Sequence, residues 1–388
     1  METADWPVPG NAQEFLTPAL LFDKDKINDN IKKTIRLAGG AERLWVHIKT
    51  HKTGEIIQMA RAHGITRFKA ATLAEAALLA DCGAEHILLA FPLVGPAQKE
   101  YCRLAKNYPS SAFYAIGDDI GQLALFCKEY RAMSLEIPYL VDVNAGTDRT
   151  GVRIEELSEF VEQAALKAGQ RPAGLHCYDG HLGMPEEQER QQAVKQYRIQ
   201  LEEQTARLER KGFPLEIRVM GGSPTMRCHE HLGPEYLSPG TTFLWDVGYG
   251  RRYRELPFEP AAAVLTRVVS RPEKNLFTLD LGYKGISADP PDRRGEIAGL
   301  PHAISLFQNE EHWTFYMEPG YEEQCPQVGT LLCVIPTHIC STCVLYDHAE
   351  VISEGKIRES WKIAARDRFR RMCPQREGNF IGEEEEKQ

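Results

Sequence analysis

The stretch Leu44-Trp45-Val46-His47-Ile48-Lys49-Thr50-His51-Lys52 decides how the chain is read. Its first half alternates in character, and successive side chains of a strand face opposite sides. Trp45, His47 and Lys49 therefore share one face, and Val46 and Ile48 share the other. If the apolar pair packs on helices, the Trp/His/Lys face looks inward, and Lys49 stands where a strand stops and a helix is about to begin. In a parallel barrel that end of a strand is where reactive groups collect. Taken alone, the stretch reads better as carrying solvated loop lysines at Lys49 and Lys52, as most lysines are.

The flanking chain supplies the context. From about residue 20 to 250 helical and extended patterns alternate. Ile27, Ile31, Ile35 and Leu37 recur near helical spacing over Lys24–Ala38, and Gly39-Gly40 stops that helix. After the opening strand come a helix at Thr53–Ala62, a strand at Ile65–Ala70, a helix at Leu73–Asp81 and a strand at His86–Phe91. Further strands are expected at Ala112–Ile116, Pro138–Asn144, Ala173–Tyr178, Ile217–Gly221 and Thr241–Asp246. Eight strands with helices between them fit an α/β fold of the closed (β/α)8 barrel type, with an open doubly wound sheet as the alternative. Beyond Arg251 short strand-like runs follow without helices: Val264–Ser270, Phe277–Leu281, Trp313–Met317, Leu331–Ile335 and Cys340–Tyr346. The expected organisation is an N-terminal segment 1–19 packing with the C-terminal domain, a barrel 20–250, a β-rich metal-binding domain 251–375 and an acidic tail 376–388.

Composition narrows the function. With 388 residues, 43% hydrophobic and 26% charged, the chain buries a large core. A net charge of −9 with interspersed signs argues against a nucleic-acid partner or a polybasic membrane anchor. No apolar run approaches membrane-spanning length. Ten cysteines scattered through a large chain suit reduced thiols and a cytoplasmic location better than a disulfide framework.

The unusual residues gather at expected strand ends. Lys49 closes the first strand, Asp142 and Asn144 the fifth, and His176, Tyr178 and His181 the sixth. Gly221-Gly222-Ser223-Pro224-Thr225 follows the seventh and is the best phosphate candidate, because glycines let backbone N–H groups converge on an anion while Ser223 and Thr225 add hydroxyls. In Pro336-Thr337-His338-Ile339-Cys340-Ser341-Thr342-Cys343 an extended backbone would point His338 and Cys340 the same way, so that an imidazole and a thiolate grip one metal. The Cys340/Cys343 spacing also suits a zinc knuckle or redox pair, although extended geometry sends those two to opposite faces.

Taken together, His47 to Lys52, Asp142 to Val152, Gly221 to Thr225, Pro239-Gly240-Thr241, Asp280 to Asp289, Glu310-Glu311-His312 and Pro336 to Cys340 resemble, in order, the D-threonine aldolase and D-serine dehydratase family. These are pyridoxal-phosphate enzymes of the alanine-racemase type, fold type III. The resemblance implies that Lys49 carries pyridoxal 5'-phosphate, that Arg149 approaches the cofactor's phenolic oxygen or the substrate carboxylate, and that Tyr178 lines the ring. It further implies that Gly222, Ser223, Thr225, Gly240 and Thr241 hold the phosphate, and that His338 and Cys340 bind a divalent metal (zinc, manganese or magnesium). A homodimer acting on a small amino acid is the implied assembly.

The expected reaction is retro-aldol cleavage of a β-hydroxy-D-amino acid to glycine and an aldehyde, with His181 as the base for the hydroxyl proton. The alternatives are dehydration of D-serine to pyruvate and ammonia with Lys49 removing the α-proton, a pyridoxal-phosphate-binding protein without turnover, and a metal hydrolase. Cys340 in the metal pair resembles the dehydratase branch.

Overall fold

The structure is a computed structural model that describes residues 6–229 and 235–368. The tail expected at 376–388 lies outside the described residues. Eight parallel strands form one sheet in the order Val46–His47, Arg67–Ala70, His86–Leu89, Ala112–Gly117, Tyr139–Asn144, Gly174–His176, Ile217–Met220 and Tyr236–Leu237. The sheet closes on itself: Leu44 bridges Leu237 in parallel, the Trp45 N–H donates to the Leu237 carbonyl at 2.8 Å, and the His47 N–H donates to the Pro239 carbonyl at 2.9 Å. A closed parallel barrel is the result, as the strand rhythm implies.

The opening stretch is in the expected phase. Trp45 is buried inside the barrel with Leu88, Ile116, Leu140 and Val219, while Val46 and Ile48 belong to the larger cluster under the outer helices. The Trp45 indole donates to the Phe68 carbonyl at 2.8 Å and meets Tyr114 and Tyr236 edge-on, so the barrel floor is filled rather than open. Function is left to the opposite mouth. The first helix, Lys24–Ala38, begins at Asp23, whose carboxylate caps the N–H groups of Asp25 and Lys26, and ends at Gly39 with φ 80°.

Two expected strands are not strands. Thr241–Asp246 is a turn: the Trp245 N–H bonds the Thr241 carbonyl at 2.7 Å, and Asp246 caps the helix Val247–Arg252. Its aromatic and β-branched residues suit a strand, but Pro239-Gly240 ends pairing before it, and the two-residue strand Tyr236–Leu237 closes the barrel instead. Within Cys340–Tyr346, Ile339–Cys343 is a short helix that follows the strand Leu331–Pro336, and the buried Asp246 carboxylate accepts the Ile339 N–H at its start, at 3.1 Å. That partner comes from far along the chain, which local sequence cannot display.

The second unit is a nine-stranded mixed sheet. Its centre holds a strand from the start of the chain: Ala19–Asp23 pairs antiparallel with Ala262–Ser270 and parallel with His348–Ser353. The hairpin His348–Ser353 and Lys356–Lys362 completes one edge. No helix among the described residues is long and apolar enough to cross a membrane.

Candidate active site

At the C-terminal mouth of the barrel a cavity of about 470 Å³ is walled by His47, Lys49, Lys69, Arg149, His176, Tyr178, Gly222, Ser223, Ser238, Gly240, Thr241 and Tyr249. A larger groove of about 710 Å³ lies on the second unit, but its arginines are paired with Glu296 and Gln308, and among the described residues no lysine, histidine or cysteine lines it. The chemistry belongs to the barrel mouth.

Lys49 is half-buried, and its Nζ stands 5.8 Å from the centre of the Tyr178 ring. Lys52 is removed from contention because it forms a buried ion pair with Glu75 and does not line the cavity. The Arg149 guanidinium lies 5.1 Å from the same Tyr178 ring, reached from the loop after Tyr139–Asn144, where Asn144 Oδ1 accepts from the Gly146 and Asp148 N–H groups. Burial also pushes the Tyr178 phenol above its ordinary range.

Two loops form an anion cradle. The N–H groups of Gly240 and Thr241 converge on one oxygen, Ser223 Oγ, at 3.1 and 3.0 Å. Ser238 Oγ lines the same wall, buried and without a partner among the described residues, as a hydroxyl awaiting an acceptor would be. At Gly240 a Cβ would come to 3.3 Å from His47 Cβ, so any side chain there would push the loop or the first strand back by a few tenths of an ångström. Beneath the cradle the buried Asp179 carboxylate accepts from the Gly222 N–H at 3.0 Å, from Thr225 Oγ1 at 2.8 Å and from His229 Nε2 at 2.7 Å. Burial pushes this carboxyl up, but those hydrogen bonds and the His229 imidazole outweigh it and hold it below the usual range. Thr225 is thus fully buried behind the loop, where it braces the cradle and does not line the cavity.

His181 is not at the cavity. It is exposed with its ring against Gly146, two residues beyond Asp179, which is buried and anchored to the Gly222 N–H. The sixth strand contributes His176 instead, whose Nδ1 lies 2.7 Å from Asp142 Oδ1 and whose Nε2 lies 3.3 Å from Lys69 Nζ. Lys69 itself was not among the expected site residues. Its signal was available, since Phe68 and Ala70 take the outward face of their strand and leave Lys69 the inward one.

His338 and Cys340 meet the mouth from the second unit of the same chain. Cys340 Sγ lies 3.2 Å from Thr50 Oγ1 and 3.8 Å from Thr241 Oγ1, and His338 Nδ1 lies 2.9 Å from Asp289 Oδ2. A hydrogen bond to Cys340, with the nearby Asp289 and Asp246 carboxylates, raises the His338 imidazole to about 9 despite burial. The pair is adjacent by a helix start rather than by strand alternation. No group of three or more His, Cys, Asp or Glu stands ready for a metal among the described residues. The donors present are one imidazole, oriented by a carboxylate, and one thiol, a set that suits a borderline divalent ion with open positions.

Comparison with known proteins follows the same outline. A D-threonine aldolase from Arthrobacter sp. is 27% identical over 365 residues, 90% of this chain and 92% of the relative. The crystal structure of D-threonine aldolase from Filomicrobium marinum superposes over 94% of this chain and 99% of that one, at 24% identity and a TM-score of 0.81. D-threo-3-hydroxyaspartate dehydratase from Delftia sp. HT23 covers 92% of this chain and 99% of its own, at 20% identity and a TM-score of 0.79. Residues 261–352 match the putative serine dehydratase domain and residues 22–244 the alanine racemase N-terminal domain. With the latter covering more than half its length, the chain belongs to the alanine racemase N-terminal domain family.

Proposed function

We propose that this lyase holds pyridoxal phosphate on Lys49 and cleaves β-hydroxy-D-amino acids between Cα and Cβ, yielding glycine and an aldehyde in the manner of a D-threonine aldolase. The observation that carries this reading is the convergence on one cavity of a strand-end lysine and two loops bearing backbone N–H groups, with Cys340 beside them against Thr50 and Thr241. The cofactor, when bound, supplies an electron sink for the substrate's α-carbon.

The chain's own residues choose the bond and move the protons. The Gly240 and Thr241 N–H groups, now on Ser223 Oγ, and the Ser238 hydroxyl would hold the phosphate. Arg149 offers planar paired donors to a carboxylate, and Tyr178 gives the ring a flat wall. Lys49 Nζ exchanges a proton with the α-carbon. His338 and Cys340 would hold a divalent ion, zinc being the best match to imidazole and thiolate, which would supply Lewis acidity toward the substrate hydroxyl.

Purified protein incubated with D-threonine is expected to give glycine and acetaldehyde. Lys49→Ala should lose the visible absorbance of lysine-bound cofactor and this product together. Dehydration is the second reading, favoured by Cys340 as a thiolate donor; a keto acid with ammonia from D-threonine or D-serine in place of glycine would establish it. No product from either substrate, with the absorbance intact, would leave a cofactor-binding protein.

A further inference from the structure

Lys69 is the most unusual group the site contains. It sits mid-strand in Arg67–Ala70, opposite His47 on one neighbouring strand and Leu88 on the other, and is only 2% exposed. Among the described residues no carboxylate lies within ion-pair distance of its Nζ, in contrast to Lys52, whose buried amine is paired with Glu75. Instead its Nζ is 3.3 Å from His176 Nε2 and 5.8 Å from the Tyr178 ring, the same ring that Lys49 faces at 5.8 Å and Arg149 at 5.1 Å.

An ammonium without a counter-ion in such a place is costly, and the usual resolution is to give up the proton. The charged and titratable groups around it are Lys49, Arg149, His47, His176, Tyr178, Asp142 and Asp179. Burial and then the Lys49 charge lower the Lys69 amine to about 7, against the opposing pull of Asp142 and Asp179. His176 is also lowered, by burial and then by the Lys69 charge, which favours a neutral imidazole. The hydrogen bonds then run one way. His176 Nδ1–H donates to Asp142 Oδ1 at 2.7 Å, Thr150 Oγ1 holds the other Asp142 oxygen at 2.8 Å, and His176 Nε2 is left to accept from Lys69. An apolar side chain would fill the wall at lower cost, so the amine calls for a chemical reason.

We propose that Lys69, held by His176 and Asp142, is a second acid–base residue of this site and takes the proton of the substrate's β-hydroxyl during carbon–carbon cleavage. The role left vacant by His181 thereby falls to a residue on the cavity wall. In the step the O–H bond breaks and its proton forms a third N–H bond on Lys69. The O–H electron pair becomes the second bond of the aldehyde, the Cα–Cβ pair remains with the α-carbon, and a proton from Lys49 takes the place of the departed carbon. Lys69 then returns its proton to water at the mouth. The inference rests on the aldolase reading for its substrate, but the state of the amine can be measured without it.

Trace acetylation of the purified holoenzyme with acetic anhydride across pH 5 to 10 (roughly the span that brackets lysine titration), read residue by residue by mass spectrometry, is the first test. Lys69 should be half-labelled at a pH well below that of the exposed lysines, whose ordinary value is about 10.4. Labelling of Lys69 alongside the exposed lysines, or none anywhere in that range, overturns the proposal whether or not any substrate is turned over. The second test uses Lys69→Met and Lys69→Arg, each required to keep the visible absorbance of bound cofactor. Both should lose at least about 100-fold in kcat on D-threonine, with KM little changed, because neither side chain can take up a proton. Recovery of activity in Lys69→Arg would show that charge alone is needed and would overturn the proposal, as would near-full activity in Lys69→Met. A wild-type protein that forms no glycine overturns the aldolase reading, and the labelling result then stands by itself for the amine.

Discussion

Lys49 and Lys52 are three residues apart and have opposite fates. Strand phase separates them: Lys49 continues the inward face of Trp45 and His47, whereas Lys52 is swung by a positive φ of 53° into the pair with Glu75. A comparable sensitivity is expected at Gly240. The Gly240→Ala variant places a methyl 3.3 Å from His47 Cβ and 3.5 Å from the His47 carbonyl oxygen, so the loop must back away from the strand by a few tenths of an ångström. Cofactor affinity should fall about 10-fold, roughly 1.4 kcal/mol, while circular dichroism stays unchanged. Fluorescence titration of the apoprotein measures the first. At this scale the positions of Lys49, Arg149, Tyr178, Gly222, Ser223, Gly240 and Thr241 on the cavity wall were legible, because strand ends and glycine turns are written locally. Lys69 was legible in principle from its alternation with Phe68 and Ala70, against the ordinary place of a lysine in water, whereas the exposed place of His181 was not.

Among the elements, the loop after the sixth strand and the loop after the seventh are locked together by Asp179. Its carboxylate and His229 are both fully buried, and an amide there would put a donor where an acceptor oxygen is needed and leave a buried partner unsatisfied. Asp179→Asn is therefore expected to cost about 2 kcal/mol in unfolding free energy, measured by denaturant titration near neutral pH. The folded carboxyl lies below its unfolded value, so its contribution is fully present above about pH 4 and is lost as pH falls through the folded value. Acidification should accordingly narrow the gap between wild type and variant; a gap that widens would contradict this account. The two misread elements carry the same message. Thr241–Asp246 and Ile339–Cys343 have strand-like composition, but one is shaped by Pro239-Gly240 and the other by a carboxylate from a different element.

For the molecule as a whole, the barrel was legible because its rhythm of strand and helix repeats, and repetition survives errors of a residue or two at each boundary. The second unit was less so, since its strands pair across long separations. The barrel mouth also bears on assembly. Phe91 and Val94 rim the cavity at 60% and 59% exposure, and a partner subunit covering them would complete the wall and exclude water. We propose a homodimer on this basis. Light scattering should give twice the 43.8 kDa chain mass, and Phe91→Asp should shift the population toward monomer.

The strand Ala19–Asp23 has a bearing on how the protein is made. Leu20, Leu21 and Phe22 leave the ribosome early, yet their antiparallel partner, Ala262–Ser270, and their parallel partner, His348–Ser353, are synthesised only after the entire barrel. The nascent chain carries this apolar strand without its sheet partners while the barrel is made, and the later strands are the ones that cover it. Insertion of the earlier segment between later ones thus ties closure of the sheet beside His338 and Cys340 to synthesis of both partner strands.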